Sequence, residues 1–361
     1  MTQRLPFRYL EPTFFAGQLD DPVLLVRVRP RGKNLLVDCG QIHHLAKRVL
    51  KGVEAIFISH AHMDHFMGVD SFIRHNHVSP RCFELFGPPG IADRLEHKLR
   101  SYDWNLSEPF WCSLQVGEIH PDRIERYRFS GPEGFARCRV ETLARSGRMI
   151  YQGEYLQVQA ELCDHRIPVL AFRLSERAAF AVDPERLRRS GLVAGPWLRE
   201  LKRRFCLGTL EETPLGVLRQ QGGTLRQEEI ADAAALLAEI HAPAAPASIG
   251  YLTDIGFTPE NRKRVQTLLQ GVTLLVCECA YLAAERDKAR SSYHLCSSDL
   301  NQLVAELRPN FLLPMHLSKS YLGRGAQLYR ELDLPPGVTL FRLPEHLTPR
   351  PLLPMEAVRL P

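Results

Sequence analysis

The chain has 361 residues, 45% of them hydrophobic and 24% charged, a balance that excludes a disordered or collagen-like polymer and allows a sizeable core. A formal charge of +5 permits a polyanionic partner without requiring one. Met1-Thr-Gln-Arg-Leu-Pro6 lacks the charged-then-apolar order of a secretory signal, and no window approaches about 18 uninterrupted apolar residues. Nine cysteines without a CxxC pair suit reduced thiols, so a soluble, cytoplasmic protein with no membrane partner is expected.

Val23–Val28 and Leu35–Asp38 read as a hairpin around Arg29-Pro-Arg-Gly-Lys-Asn34, followed by a helix near Ile42–Lys51. Next comes Ala55-Ile-Phe-Ile-Ser-His60-Ala-His62-Met-Asp64-His65, an apolar strand that stops at three imidazoles and a carboxylate within six residues. Imidazole nitrogen and carboxylate oxygen are the donors Zn²⁺ prefers, and a cluster directly after a buried strand has no packing reason. Four donors are more than one ion needs from a single loop, which invites a second ion about 3.5–4 Å from the first. The bland alternative is a polar turn with fortuitous histidines.

Phe66, Val69, Phe72 and Ile73 then give helical spacing over 65–74, Phe83–Gly90 a strand ending in breakers, and Ile91–Arg100 a charged helix. Residues 105–150 show weak periodicity, from which only short strands are expected. Leu156–Ala160 and Val169–Leu174 are strands flanking Cys163-Asp-His165; taken alone, His165 reads as a satisfied turn histidine. Arg186, Arg188, Arg189, Arg199, Lys202, Arg203 and Arg204 surround a Gly195-Pro196 breaker, either as a solvated helical face or as a phosphate-contacting patch. A helix over 228–240 and a surface connection over 242–247 follow. Three later strands end in Asp254, Glu278 and His316, and a helix covers 299–307. In α/β sheets ligands gather at strand C-termini, so these distant residues can converge with the His60 loop. Two loosely similar halves of strands and then helices suggest two facing sheets with helices outside.

His-x-His-x-Asp-His after a strand resembles the metallo-β-lactamase superfamily, which implies an α/β, four-layer αβ/βα sandwich with metal at one edge. On that resemblance His165, Asp254 and His316 become ligands and Asp38 the carboxylate that braces the metal loop. Within the superfamily the chain is most similar to the ribonuclease Z family, endonucleases that trim tRNA 3′ trailers. The likeness is carried by Phe86-Gly-Pro-Pro-Gly-Ile91, Asp164-His-Arg-Ile-Pro-Val169, Gly191-x-x-x-Gly-Pro-Trp197, and Leu274–Ala280 with His294 and Leu313–Ser318. It departs where the family's Pro-x-Lys-x-Arg-Asn loop has no clear counterpart, and where Thr253-Asp254-Ile255 replaces Gly-Asp-Thr.

The resemblance implies a single domain over 1–361 with a short RNA-gripping insertion at about 183–225, and phosphodiester hydrolysis with two Zn²⁺, or Mn²⁺ in their place. His60, His62 and His165 would hold one ion, Asp64, His65 and His316 the other, with Asp254 between them. Asp64 would accept the nucleophile's proton and His294, oriented by Glu278, would protonate the leaving oxygen. The partner would be RNA, a tRNA precursor, and a homodimer is compatible with the sequence. A hydrolase of a small phosphodiester or thioester on the same fold, and a catalytically silent RNA-binding subunit, are the rival readings; the full ligand set argues against the latter.

Overall fold

The computed structural model describes residues 5–177, 180–211, 214–221, 223–242 and 246–347. The chain divides into a larger unit, residues 1–152, 157–175 and 247–361, and a smaller one, residues 153–156 and 176–246.

The larger unit holds two sheets. In the first, β1 (Leu10–Phe14), β2 (Leu24–Val28), β3 (Lys33–Val37), β4 (Val53–Phe57), β5 (Cys82–Gly87), β6 (Ser113–Ile119), β7 (Arg123–Ser130) and β8 (Ala136–Ala144) lie side by side in chain order. β3 to β6 run parallel, and hairpins flank them on both sides. The second sheet contains β9 (Met149–Gln152), β10 (Leu156–Asp164), β11 (Pro168–Glu176), β14 (Ser248–Leu252), β15 (Leu274–Glu278), β16 (Phe311–Met315) and β17 (Thr339–Leu340). Its spatial order is β17-β16-β15-β14-β11-β10-β9. β14, β15 and β16 are parallel and almost wholly buried, as strands covered on both faces must be.

The inner faces meet through aromatic side chains: Phe57 of β4 stacks on Phe86 at 5.3 Å and meets Tyr151 and Phe172 of the second sheet at 5.7 and 5.9 Å between ring centroids. The outer face of the first sheet is sealed by Val69, Phe72, Leu95 and Leu99 from the helices Val69–Asn76 and Ile91–Arg100. Val265, Leu268, Leu303 and Leu307 from the helices Pro259–Leu269 and Ser297–Leu307 seal the second. The result is the four-layer αβ/βα sandwich. The strands' C-terminal ends carry Asp38, His60, Asp254, Glu278 and His316 toward one edge.

Three local expectations change. The helix near 42–51 shrinks to Lys47–Lys51, because Ile42–Leu45 closes a turn instead. The helix over 65–74 is two pieces, Met63–Phe66 and Val69–Asn76, broken at Gly68 where the backbone passes Cys39 and Gly40 too closely for any Cβ. Within 105–150, residues 113–144 form three strands of seven to nine residues rather than short ones; β8 is exposed at all nine positions, so no burial imposes alternation on its sequence.

The smaller unit has its own core, built on Leu187, Leu192, Trp197, Leu201, Leu236 and Leu237. Helices Pro184–Arg189, Trp197–Leu207 and Ala233–Ile240 pack there with the hairpin β12 (Leu215–Gln221) and β13 (Thr224–Ile230). The helix expected from 228 therefore starts at Ala233, because the residues before it pair as a strand. The expected insertion at 183–225 falls inside this unit. Residues 243–245 of the connection expected over 242–247 lie outside the described residues.

Candidate metal centre

The His60 loop is held from below by Asp38, which follows β3 in the left-handed region at φ 55°. Its carboxylate is fully buried and accepts four hydrogen bonds: from Ser59 N at 2.7 Å, and from Ser59 Oγ, His65 Nδ1 and Tyr251 Oη at 2.8 Å each. That many donors compensate a desolvated charge and fix the tautomer of His65, so that Nε2 faces the centre. The loop is also tied by its backbone, Cys39 N–H to the His65 carbonyl and Gly68 N–H to the Cys39 carbonyl. A Cβ at Gly40 would lie 2.4 Å from the Asp64 carbonyl oxygen, and one at Gly68 2.3 Å from that of Gly40, so both glycines are required by close approach.

Asp254, at the end of β14, occupies the middle. Its Oδ2 lies 3.6 Å from His60 Nε2, 3.5 Å from His65 Nε2 and 3.9 Å from His165 Nε2, and its Oδ1 lies 3.3 Å from His316 Nδ1. The first three are too long for good hydrogen bonds, and are the separations expected of atoms that each sit about 2 Å from a shared cation. One candidate ligand group is His60, His62, His165 and Asp254; a second is Asp64, His65 and His316, with Asp64 Oδ2 3.0 Å from His316 Nε2. His60 Nε2, His65 Nε2 and His316 Nδ1 are buried without a hydrogen-bond partner, which a metal would supply. All seven ligand-type residues anticipated from the sequence come together.

Electrostatics agree with a cation site. Burial, reinforced by His65, pushes His60 down to about 2, keeping it a neutral donor. Burial also lowers His62, with His165 adding to it. Burial opposes charge on His65 and His316, but Asp254 outweighs it in both, aided by Asp38 and Asp64 respectively, and raises them. Burial would raise Asp64 and Asp254, yet hydrogen bonds from His316 and His65 hold Asp64 far below the carboxylate range, and the charges of His316 and His65 do the same to Asp254. Carboxylates that draw protons onto two imidazoles mark a place where positive charge is wanted, and a divalent cation would displace those protons.

Beside this group, Glu278 is fully buried; its Oε2 lies 3.1 Å from His294 Nδ1, and its Oε1 accepts the Ile255 N–H at 2.7 Å. Burial opposes the His294 charge, but Glu278 and then Asp254 outweigh it and lift the imidazole to about 9. His294 lines a cavity of about 290 Å³ with Asp64, His316, Tyr281, Asp21 and Lys319.

Sequence reasoning missed the supporting groups. Tyr251 and Ser59 hold Asp38, and the Tyr293 carbonyl accepts His165 Nδ1–H at 2.6 Å. Ser59, directly before the motif, was the one legible signal; a backbone carbonyl leaves none.

In the smaller unit, the basic segment is largely self-paired. Arg186 faces Asp183, Arg188 and Arg189 face Glu185, and Arg203 meets Glu200 at 2.7 Å. Arg204, counted from sequence among the RNA-facing cations, is instead buried against Glu200 and the Pro214 carbonyl and serves packing. Arg199 and Lys202 are exposed without an ion pair among the described residues, on a helix that starts just after Gly195 and Pro196.

A family model described as Beta-lactamase superfamily domain matches residues 33–146, which include the His60 loop. Ribonuclease Z of Deinococcus radiodurans is 33% identical over 292 residues, 80% of this chain and 83% of that protein. Ribonuclease Z of Synechococcus is 26% identical over 85% of this chain and 82% of its own length. Among solved structures, human tRNase Z, short form, superposes with a TM-score of 0.50 over 92% of this chain and 96% of its own at 15% identity. The metallo-β-lactamase-fold protein YhfI of Bacillus subtilis gives 0.50 over 92% and 98% at 12%.

Proposed function

The chain belongs to the ribonuclease Z family of metal-dependent hydrolases with the metallo-β-lactamase fold, and we propose that it cuts the 3′ trailer from tRNA precursors with two Zn²⁺ ions. The observation that carries this is Asp254, whose carboxylate faces both ligand groups at once, Oδ2 toward His60 and His165 of the first and His65 of the second, and Oδ1 toward His316 of the second. His60, His62 and His165 would hold one ion, Asp64, His65 and His316 the other, with Asp254 shared. Imidazole and carboxylate sets of this kind suit Zn²⁺ and accept Mn²⁺.

When bound, such ions polarise phosphoryl oxygens and bring the pKa of a water toward neutrality. The chain's own groups divide the remaining work. Asp64, anionic across the working range, accepts a hydrogen bond from the attacking water and takes its proton in passing. His294, kept protonated by Glu278 and lining the cavity, gives a proton to the departing ribose oxygen. Asp38 neither touches substrate nor moves a proton; it fixes the His65 ring. Arg199 and Lys202, together with Arg186 and Arg189, whose ion pairs are long at 3.8 and 3.5 Å, and Arg188, which is held by Glu185, would contact RNA phosphates. No described helix is long and apolar enough to cross a membrane.

The test is a panel of three substrates for the purified protein: a 3′-extended tRNA precursor, bis(p-nitrophenyl) phosphate and a thioester. Endonucleolytic cleavage of the precursor supports the reading. Turnover of the thioester alone, or of the small diester alone, would replace it with hydrolysis of a small molecule.

A further inference from the structure

Next to His165 the chain places an arginine in an unusual setting. Arg166 has φ 60°, a region that arginine enters only when its surroundings hold it there. The Asp164 carboxylate accepts the Arg166 N–H at 2.8 Å, and the Ile167 carbonyl accepts that of His165 at 3.0 Å, closing a tight turn. The turn is locked from outside. Asn261 Oδ1 accepts the Asp164 N–H at 2.9 Å while its Nδ2 donates to the Asp164 carbonyl at 2.8 Å.

The same surroundings hold a platform for the side chain. The Arg166 guanidinium lies 4.9 Å from the centroid of the Tyr293 ring. Tyr293, itself at φ 58°, is seated against Gly256, where a Cβ would come within 2.7 Å of the ring, and its carbonyl holds His165. The guanidinium is therefore fixed to the segments that carry His165, Asp254 and His294. Lys319 is engaged with Asp21 at 3.2 Å and Arg290 with Asp299 at 2.6 Å, and Arg94, which lines a cavity with His62 and Ile167, donates to the Gly90 carbonyl at 3.0 Å. Arg166 is exposed and has no ion pair among the described residues.

An unpaired guanidinium stacked on an aromatic face has lost rotamer freedom before any ligand arrives, so an anion it meets incurs little ordering cost. Its planar fork matches two oxygens of a phosphate. Of the candidate ligands, His60, His65, His165 and Asp254 are buried, whereas Arg166, directly after His165, is exposed and makes no ion pair with Asp64 or Asp254 among the described residues. From this placement we infer that Arg166 anchors the phosphodiester adjacent to the scissile one, as a specificity-determining contact for polynucleotides over small diesters. The inference rests on the RNA reading given above.

The experiment compares wild type with Arg166→Ala, Arg166→Lys and Arg166→Gly, the last because glycine keeps the left-handed turn should alanine strain it. Kinetics are measured on the tRNA precursor at several salt concentrations and on bis(p-nitrophenyl) phosphate, which has no second phosphate, and metal content is measured alongside. Arg166→Ala and Arg166→Gly are expected to raise KM for RNA on the order of ten- to a hundredfold, the worth of a charged hydrogen bond. The salt slope should fall by about 0.7, one phosphate contact on a single strand. Small-diester kinetics and metal content should not change, and Arg166→Lys should recover part of the loss. Unchanged RNA KM and salt slope in both truncations overturn the inference alone, as does an equal loss on the two substrates, which would put Arg166 on the scissile phosphate. A wild-type protein that hydrolyses the diester but not the RNA overturns the RNA reading, and the inference with it.

Discussion

The carboxylate of Glu278 lies 3.1 Å from Nδ1 of His294, and the same carboxylate accepts the N–H of Ile255, the residue after Asp254. One buried acid thus sets both the proton inventory of His294 and the backbone that carries the central carboxylate.

From that pair follows a pH dependence. His294 is raised to about 9, so it is protonated below that value and loses its proton as pH rises through it. The charged pair also stabilises the folded state below the ordinary imidazole range, and that contribution fades as pH climbs through about 9. The kcat for RNA should hold on the neutral side and fall above pH 9. In Glu278→Gln the alkaline limb should move down toward about 6.5, the unperturbed imidazole value. His294→Ala should lower kcat on RNA by on the order of 10²- to 10⁴-fold with metal retained. The loss should shrink on bis(p-nitrophenyl) phosphate, whose leaving group needs no proton. A limb that stays in place in Glu278→Gln would separate the carboxylate from the titration.

Asp38 and Tyr251 allow a contrast between stability and metal affinity. Tyr251→Phe removes one of four donors to a buried carboxylate and should cost about 1–3 kcal/mol in denaturant unfolding, with metal content near wild type. Asp38→Asn alters the group that orients His65 and should weaken metal affinity on the order of 10- to 100-fold, read by competition with a chelator. Equal metal loss in both variants would mean that Tyr251 supports the site as directly as Asp38 does.

Asp64 is only partly buried and bridges toward His316 and His65. Asp64→Ala should leave the fold intact, abolish turnover and reduce bound metal from about two ions per chain toward one, the second ligand group being left with two imidazoles and the shared Asp254. Elemental analysis and circular dichroism read this. Activity within tenfold of wild type would show that the nucleophile is generated without it.

In the basic segment, Arg199 and Lys202 are exposed cations without an ion pair among the described residues. Reversing the charge of both should weaken RNA binding and lower the salt slope by about 0.7 to 0.9 for each lost phosphate contact. Reversal of Arg188 and Arg189, which already share Glu185, should do less. Hydrolysis of the small diester should not change. An unchanged slope in the first variant makes the whole segment a solvated helical face.

The sandwich and the metal-type residues were legible because each strand that carries a ligand is an uninterrupted apolar run with an abrupt polar end, at His60, Asp254 and His316. His165 was not legible in itself; its turn is fixed by Asn261, 97 positions from its partner Asp164, and by the Tyr293 carbonyl, 128 positions from His165, which local sequence cannot announce. β8 was missed because an exposed edge strand carries no alternation, and the β12–β13 hairpin because Thr224–Ile230 is so polar that it imitates a loop or helix start. Arg204 misled because its sequence neighbours are surface cations, and only packing reveals which face of the helix it occupies.

The most direct measurement is cleavage of an end-labelled, 3′-extended tRNA precursor by the purified metal-loaded protein, with Asp64→Ala and a chelator-treated sample beside it. The account predicts one discrete internal cut that releases the trailer intact and disappears in both controls. Trimming one nucleotide at a time, a cut that persists in Asp64→Ala, or no cleavage by a protein that binds two ions would contradict it.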